Sequence, residues 1–204
     1  GTLIEEDAIH RGQFGVSFDD FGRFYTCRES TGAMMDYMPE EYVRRHPGLR
    51  ELANRNGGRG RLGVGAVISG QAQEVFPIRP TPQITLGGLE LRDDGTLRTY
   101  TIASGTCVYR GDQFPDDARG NLFVPEAGGH LIGRLVVEDG LTPQAKRYYP
   151  AEKELLASTD ERFRPINART GPDGALYIAD MYKGVIEHVI FMVPWIADQV
   201  KARN

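Results

Sequence analysis

One short plan recurs three times along this 204-residue chain and narrows the fold more than any other feature. It consists of an apolar strand, an Asp-containing turn ending in glycine, a second apolar strand, a short loop and a third strand. The first copy runs through Gly15 to Phe18, the turn Asp19-Asp20-Phe21-Gly22, Arg23 to Thr26 and, after a loop, Ala33 to Met38. The second has Asp117-Ala118-Arg119-Gly120, Asn121 to Val124 and Leu131 to Val137, and the third Gly171-Pro172-Asp173-Gly174, Ala175 to Ile178 and Val185 to Phe191. The turn glycines stand at 22, 120 and 174, so the gaps are 98 and 54 residues and one repeat is about 50, with another copy hidden in the first gap. In that gap Ala66 to Ser69 and Glu74 to Ile78 read as strands, and Leu89 to Arg92 with Leu97 to Ile102 as a hairpin around Asp93-Asp94-Gly95.

Repeats of this length built from short antiparallel strands are the signature of β-propeller blades. The fold expected is therefore all-β: a single propeller domain or partial propeller over 1–204, with blade-like units near 11–38, 62–102, 106–137 and 162–191. Helix is expected only in inserts at 39–53 and 194–203, with a short one over Ala151 to Ala157. Three or four blades rarely close a ring, so the chain reads as part of a larger, six-bladed one, its edges completed by missing blades or an oligomeric partner.

Composition excludes several functions. Lys and Arg number 24 against 28 Asp and Glu, and a net charge of -4 supplies no global field for nucleic acid or an anionic membrane. The stretch from Val185 to Ile196 is interrupted by Glu187, His188 and Pro194 and falls short of the roughly 20 apolar residues that a membrane-spanning helix needs. Residues 1–30 carry no basic start followed by an apolar run and a cleavage site. Two cysteines, Cys27 and Cys107, lie 80 positions apart without a CxxC, which excludes a c-type haem and a four-Cys zinc site. Two buried free thiols are expected, with a single bridge as the alternative.

Aligning the repeats by their turn glycines picks out a set of arginines: Arg11 stands 11 residues before Gly22, Arg110 10 before Gly120 and Arg164 10 before Gly174. Equivalent places in successive blades share a height and a distance from the axis, so these side chains are expected to converge where each chain enters its innermost strand. Arg162, two residues before Arg164, points the same way by the period-two rule. Such a cluster suits carboxylates or phosphates, which a guanidinium grips with two parallel donors. The alternative is internal pairing with the acids that recur after the second strands, Glu29, Glu126 and Asp180, of which Glu126 and Asp180 each stand six after their turn glycine. Those acids could equally hold a cation or accept a proton.

Other signals carry less. Gly58-Arg59-Gly60-Arg61-Leu62-Gly63 spells GxGxxG without the strand and helix that a dinucleotide site requires, and reads as a loop. The histidines His10, His46, His130 and His188 lack metal-ligand spacing and read as surface or strand positions; only His10, beside Arg11, is placed to act as an acid or base. Phe24, Tyr25, Phe123 and Tyr177 occupy matching second-strand positions and read as core between blades.

On Arg11 to Phe24 (RGQFGVSFDDFGRF), Cys107 to Asp112 (CVYRGD), Gly120 to Glu126 (GNLFVPE) and above all Ala157 to Asp180 (ASTDERFRPINARTGPDGALYIAD), the chain resembles the six-bladed soluble quinoprotein glucose dehydrogenases and L-sorbosone dehydrogenase-like proteins, in their C-terminal portion. The resemblance implies PQQ-dependent oxidation of a sugar or aldose, with Arg11, Arg110, Arg162 and Arg164 holding the carboxylates of pyrroloquinoline quinone, and calcium as a second cofactor. It further implies an electron acceptor such as a cytochrome or quinone, and a periplasmic or secreted location. The family's catalytic histidine lies in an earlier blade, so that role is not carried over to His10. The alternatives are a non-catalytic propeller that binds a protein or polysaccharide partner, and a lyase or hydrolase using Glu126, Asp180 or His10 as base.

Overall fold

The computed structural model describes residues 12–36, 42, 45–48, 65–67, 73–80, 91–140, 143–184, 198 and 201–202. They form three successive antiparallel units. The first is a four-stranded meander of β1 (Phe14–Phe18), β2 (Phe24–Arg28), β3 (Thr31–Asp36) and β4 (Gly65–Val67), hydrogen-bonded in that order. The second runs β5 (Cys107–Val108), β6 (Leu122–Glu126), β7 (Leu131–Glu138) and β8 (Gln144–Arg147), with β9 (Leu156–Ala157) pairing the start of β7. The third is the hairpin of β10 (Pro165–Thr170) and β11 (Leu176–Asp180).

Sequence dictates the turns that make these meanders. Gly22, Gly120 and Gly174 all take the left-handed conformation, with φ of 77, 79 and 80°, which residues with a Cβ adopt only under strain. Side-chain caps fix two of these turns: Asp19 Oδ1 accepts the Phe21 and Arg23 amides at 2.9 Å, and Asp173 Oδ1 accepts the Ala175 amide at 3.1 Å.

Successive units pack face to face. Tyr25, Ala33 and Met35 from the first sheet meet Val108, Leu122, Val124, Leu131 and Leu135 of the second in one buried cluster, into which Val75, Leu97 and Tyr100 insert from the intervening chain. A smaller cluster of Tyr109, Ala118, Phe123 and Ile132 takes Leu176 and Ile178 of the hairpin on the second sheet's other side. Four-stranded meanders stacked face to face, with the first strands β1, β5 and β10 adjacent, are β-propeller blades.

Several expectations shift. The blade-like unit expected near 62–102 does not form a sheet of its own among the described residues. Its Gly65–Val67 completes the first sheet, and the other described residues of this stretch pair as the isolated bridges Glu74 to Thr99 and Leu91 to Leu97. No helix forms over Ala151 to Ala157, because Glu154 is drawn inward to Arg147 and to the Phe76 amide, leaving a turn that runs into β9. In the inserts, residues 42, 45, 47, 48, 198, 201 and 202 are helical; the rest of 39–53 and 194–203, the third strand read at Val185 to Phe191 and the GxGxxG segment lie outside the described residues. Both cysteines are buried free thiols. Tyr25 and Phe123 are core as expected, whereas Tyr177 is 55% exposed, on the face of β11 opposite to Leu176 and Ile178.

Candidate functional site

The strand register decides which candidate residues meet. Pro165 pairs with Asp180 in the hairpin, and Ala103 bridges Glu126 in the second sheet, so Arg164 corresponds to Ile102 rather than to Arg110. Arg110 lies beyond β5, in the loop leading to Gly120, where its amide donates to Thr170 Oγ1 at 3.2 Å at the far end of β10. The six residues of β10 span about 17–20 Å, and Arg110 and Arg164 stand at opposite ends of them. The equal offset from the turn glycines counted across a loop that is longer in the second unit.

Each of these two arginines is engaged internally. Arg110 Nε donates to Asp20 Oδ1 at 2.7 Å, and Arg119 reaches the other oxygen of the same carboxylate at 3.0 Å. These two guanidiniums, Arg110 first, hold the Asp20 carboxyl below the usual carboxylate range. Arg164 donates from Nη1 to Ala127 O at 2.9 Å, from Nη2 to Gly184 O at 2.7 Å and from Nε to Lys183 O at 3.3 Å, binding the chain after β6 to the chain after β11. Arg162 is exposed, and no ion pair to it is found among the described residues. His10 and Arg11 lie outside the described residues.

Glu126 and Asp180 recur for a structural reason. Glu126 is wholly buried, and its carboxyl accepts the amides of Thr101 and Ile102 at 3.0 Å and of Gly128 at 2.9 Å. Asp180 Oδ1 accepts the amides of Arg164 at 2.7 Å and Tyr182 at 2.9 Å. In both units the acid ending the second strand thus binds the amide that precedes the residue paired with it, Ile102 before Ala103 and Arg164 before Pro165, and the amide two residues further on. Burial pushes the Glu126 carboxyl up to about 7 against the pull of its amide donors.

The end of the molecule at which β6 stops and β10 begins holds a second set of groups, which the sequence reading missed. His130, in the β6–β7 turn, is wholly buried with a φ of 57°, where a surface or strand position was expected. Its Nδ1 lies 2.9 Å from Phe163 O, so this nitrogen carries the proton, and its backbone carbonyl accepts the Ser158 amide at 2.9 Å. Nε2 is buried and has no hydrogen-bond partner among the described residues. Burial, then the neighbouring Arg164 and Arg79 guanidiniums, push the imidazole down to about 4. The pair Gly128-Gly129 before His130 marks the turn in the sequence, but nothing there marks the burial.

Tyr182, with a φ of 48°, is 57% exposed, and Met181 beside it is 40% exposed. The Tyr182 hydroxyl lies beside the Asp160 carboxyl, which the Arg162 amide, first among its partners, keeps below its ordinary range. Arg162, two residues after Asp160, and Lys183, next to Tyr182 in the chain, are both exposed. Among the described residues no group of three or more His, Cys, Asp and Glu side chains is placed to hold a metal ion, and no helix is long and apolar enough to cross a membrane. Arg110 and Arg164, at opposite ends of β10, do not fit joint capture of one tricarboxylic cofactor.

The stacked meanders define an all-β protein of propeller type. Within that class, a family model described as a domain of unknown function, DUF7133, matches residues 3–204, and the chain belongs to that family. No curated protein matches the chain. Among solved structures it is similar to the soluble aldose sugar dehydrogenase of Escherichia coli in its apo form, at 16% identity and a TM-score of 0.35, over 81% of this chain. The chain spans 40% of the length of that enzyme.

Proposed function

We propose that this chain is a propeller segment that binds a polysaccharide, presenting the face around Tyr182 where β10 begins, and that its arginines brace the fold. The observation that carries this reading is Tyr182 itself: a 57% exposed aromatic in the left-handed region, fixed by Asp180 at its amide and with the Asp160 carboxyl beside its hydroxyl. A non-glycine residue there costs about 1–3 kcal/mol, a strain that concentrates at functional positions. Its ring offers a flat apolar platform for the C–H face of a sugar, while the Asp160 carboxylate and the Arg162 and Lys183 cations offer acceptors and donors to the hydroxyls around it. Arg110 and Arg164, engaged with Asp20 and with backbone carbonyls, support a scaffold role for the residues that an anion site would have used.

Calorimetric titration of the chain with cello-, xylo- and malto-hexaose at pH 7 tests the reading. At least one sugar should bind and Tyr182→Ala should abolish that binding while the thermal transition persists. Absence of binding to all three, or binding indifferent to Tyr182→Ala, refutes it. Quinone-dependent sugar oxidation is a second reading, favoured by Arg162, which is exposed at the same end without an ion pair among the described residues. Under that reading, pyrroloquinoline quinone added with calcium should bind wild type and not Arg162→Ala.

A further inference from the structure

The loop 158–163 carries Asp160 and Arg162 to the Tyr182 face, and one residue grips both of its ends. At its start the Ser158 amide donates to the His130 carbonyl at 2.9 Å, and at its finish Phe163 O accepts from His130 Nδ1 at 2.9 Å. Between these points the loop is held by short-range bonds: the Asp160 amide to Ser158 Oγ at 3.0 Å, the Arg162 amide to Asp160 Oδ1 at 2.9 Å and the Phe163 amide to Asp160 O at 3.1 Å. Outside contact comes from Arg79, whose Nη2 is 3.8 Å from Glu161 Oε2, and the Tyr182 hydroxyl lies beside Asp160.

From this geometry we infer that His130 is a positioning residue, an acid-operated latch that holds the 158–163 loop in its binding shape while the ring is neutral and lets it go when the ring takes a second proton. The inference rests on the sugar-binding reading for its consequence at the Tyr182 face, but the latch itself does not require it. Three charged groups face the imidazole: Arg164 from the start of β10, Arg79 from the segment 73–80 and Glu161 from the loop. Two are cations fixed by other bonds or partly buried, and Glu161 is half exposed, so a protonated ring at this depth meets net repulsion. Among the described residues Nε2 has no acceptor to which its added proton could be donated. The ring relieves this by leaving its pocket for water, which breaks the bond to Phe163 O and frees one end of the loop.

NMR of the labelled chain, without sugar, follows the His130 ring carbons and the Ser158 to Arg164 amides from pH 7 to pH 3.5. The ring should stay neutral well below the ordinary histidine range and the loop amides should shift together with it, reversibly, while the amides of β6 and β7 hold. His130→Asn keeps a donor at the Nδ1 position, tolerates the left-handed backbone and does not titrate. Its loop amides should show no such transition. A ring that titrates near 6.5 without moving the loop, or a loop that opens in His130→Asn at the same pH as in wild type, overturns the latch. If the variant does not fold, the wild-type ring and loop curves decide alone, since failure to coincide has the same force. Oligosaccharide titrations at pH 7 address the Tyr182 face separately, so a chain that binds no sugar leaves the latch test intact.

Discussion

Glu126 and Asp180 make the same pair of backbone bonds at the ends of successive second strands, yet their surroundings differ completely. Glu126 is wholly buried, while Asp180 is exposed. An amide side chain in place of either carboxyl points a donor toward amides that are already donors. At the buried site nothing else can accept them, and leaving buried donors unmet costs about 1–3 kcal/mol. At the exposed site water takes over. Glu126→Gln is therefore expected to lower the unfolding free energy by about 1–3 kcal/mol and Asp180→Asn by under about 1 kcal/mol, measured by urea titration at pH 8. Equal losses would mean that the shared bonding pattern, and not burial, sets their worth.

Close approach between elements sets the second scale. Gly133 on β7 lies against Tyr100, and a Cβ built there would stand 2.3 Å from the Tyr100 hydroxyl oxygen. Tyr100 is 1% exposed in the cluster that joins the first two sheets, so its ring has no free volume to retreat into. Gly133→Ala should cost about 1–3 kcal/mol as overpacking, read as a fall in thermal midpoint, and Tyr100→Phe in the same chain should recover part of it. The strands themselves were legible because the Asp-to-Gly turns repeat and apolar runs flank them: β1 to β3, β6, β7 and β11 fall within a few residues of their sequence positions. Two things were not legible. Counting Arg110 from Gly120 crosses a loop with its own 3-10 turn at Asp116–Ala118, so an equal number of residues leads to the opposite end of the neighbouring strand. Burial of His130 arises because residues far along the chain, Ser158 and Phe163, close over a glycine turn, and local pattern carries no trace of that.

For the whole molecule the two displaced titrations work against each other. His130 sits at about 4 in the folded chain against an ordinary 6.5, so the folded state refuses a proton that the unfolded chain accepts; its contribution is complete above about 6.5 and is lost as pH falls toward 4. Glu126 sits at about 7 against an ordinary 4.5, so the folded state holds a proton that the unfolded chain releases; its contribution is complete below about 4.5 and is lost as pH rises through 7. Each displacement is worth up to about 3 kcal/mol across its window. Between about pH 4.5 and 6.5 the folded chain gains one proton at Glu126 and forgoes one at His130, so the proton difference between folded and unfolded states nearly vanishes and stability from this pair is flat. Removing one group exposes the slope of the other. Across this window His130→Asn should become less stable as pH rises, and Glu126→Gln should become more stable, relative to the wild-type profile at each pH. Unfolding free energies from urea at half-unit steps check this, and two variants that parallel the wild type throughout would show that neither buried group titrates out of its ordinary range.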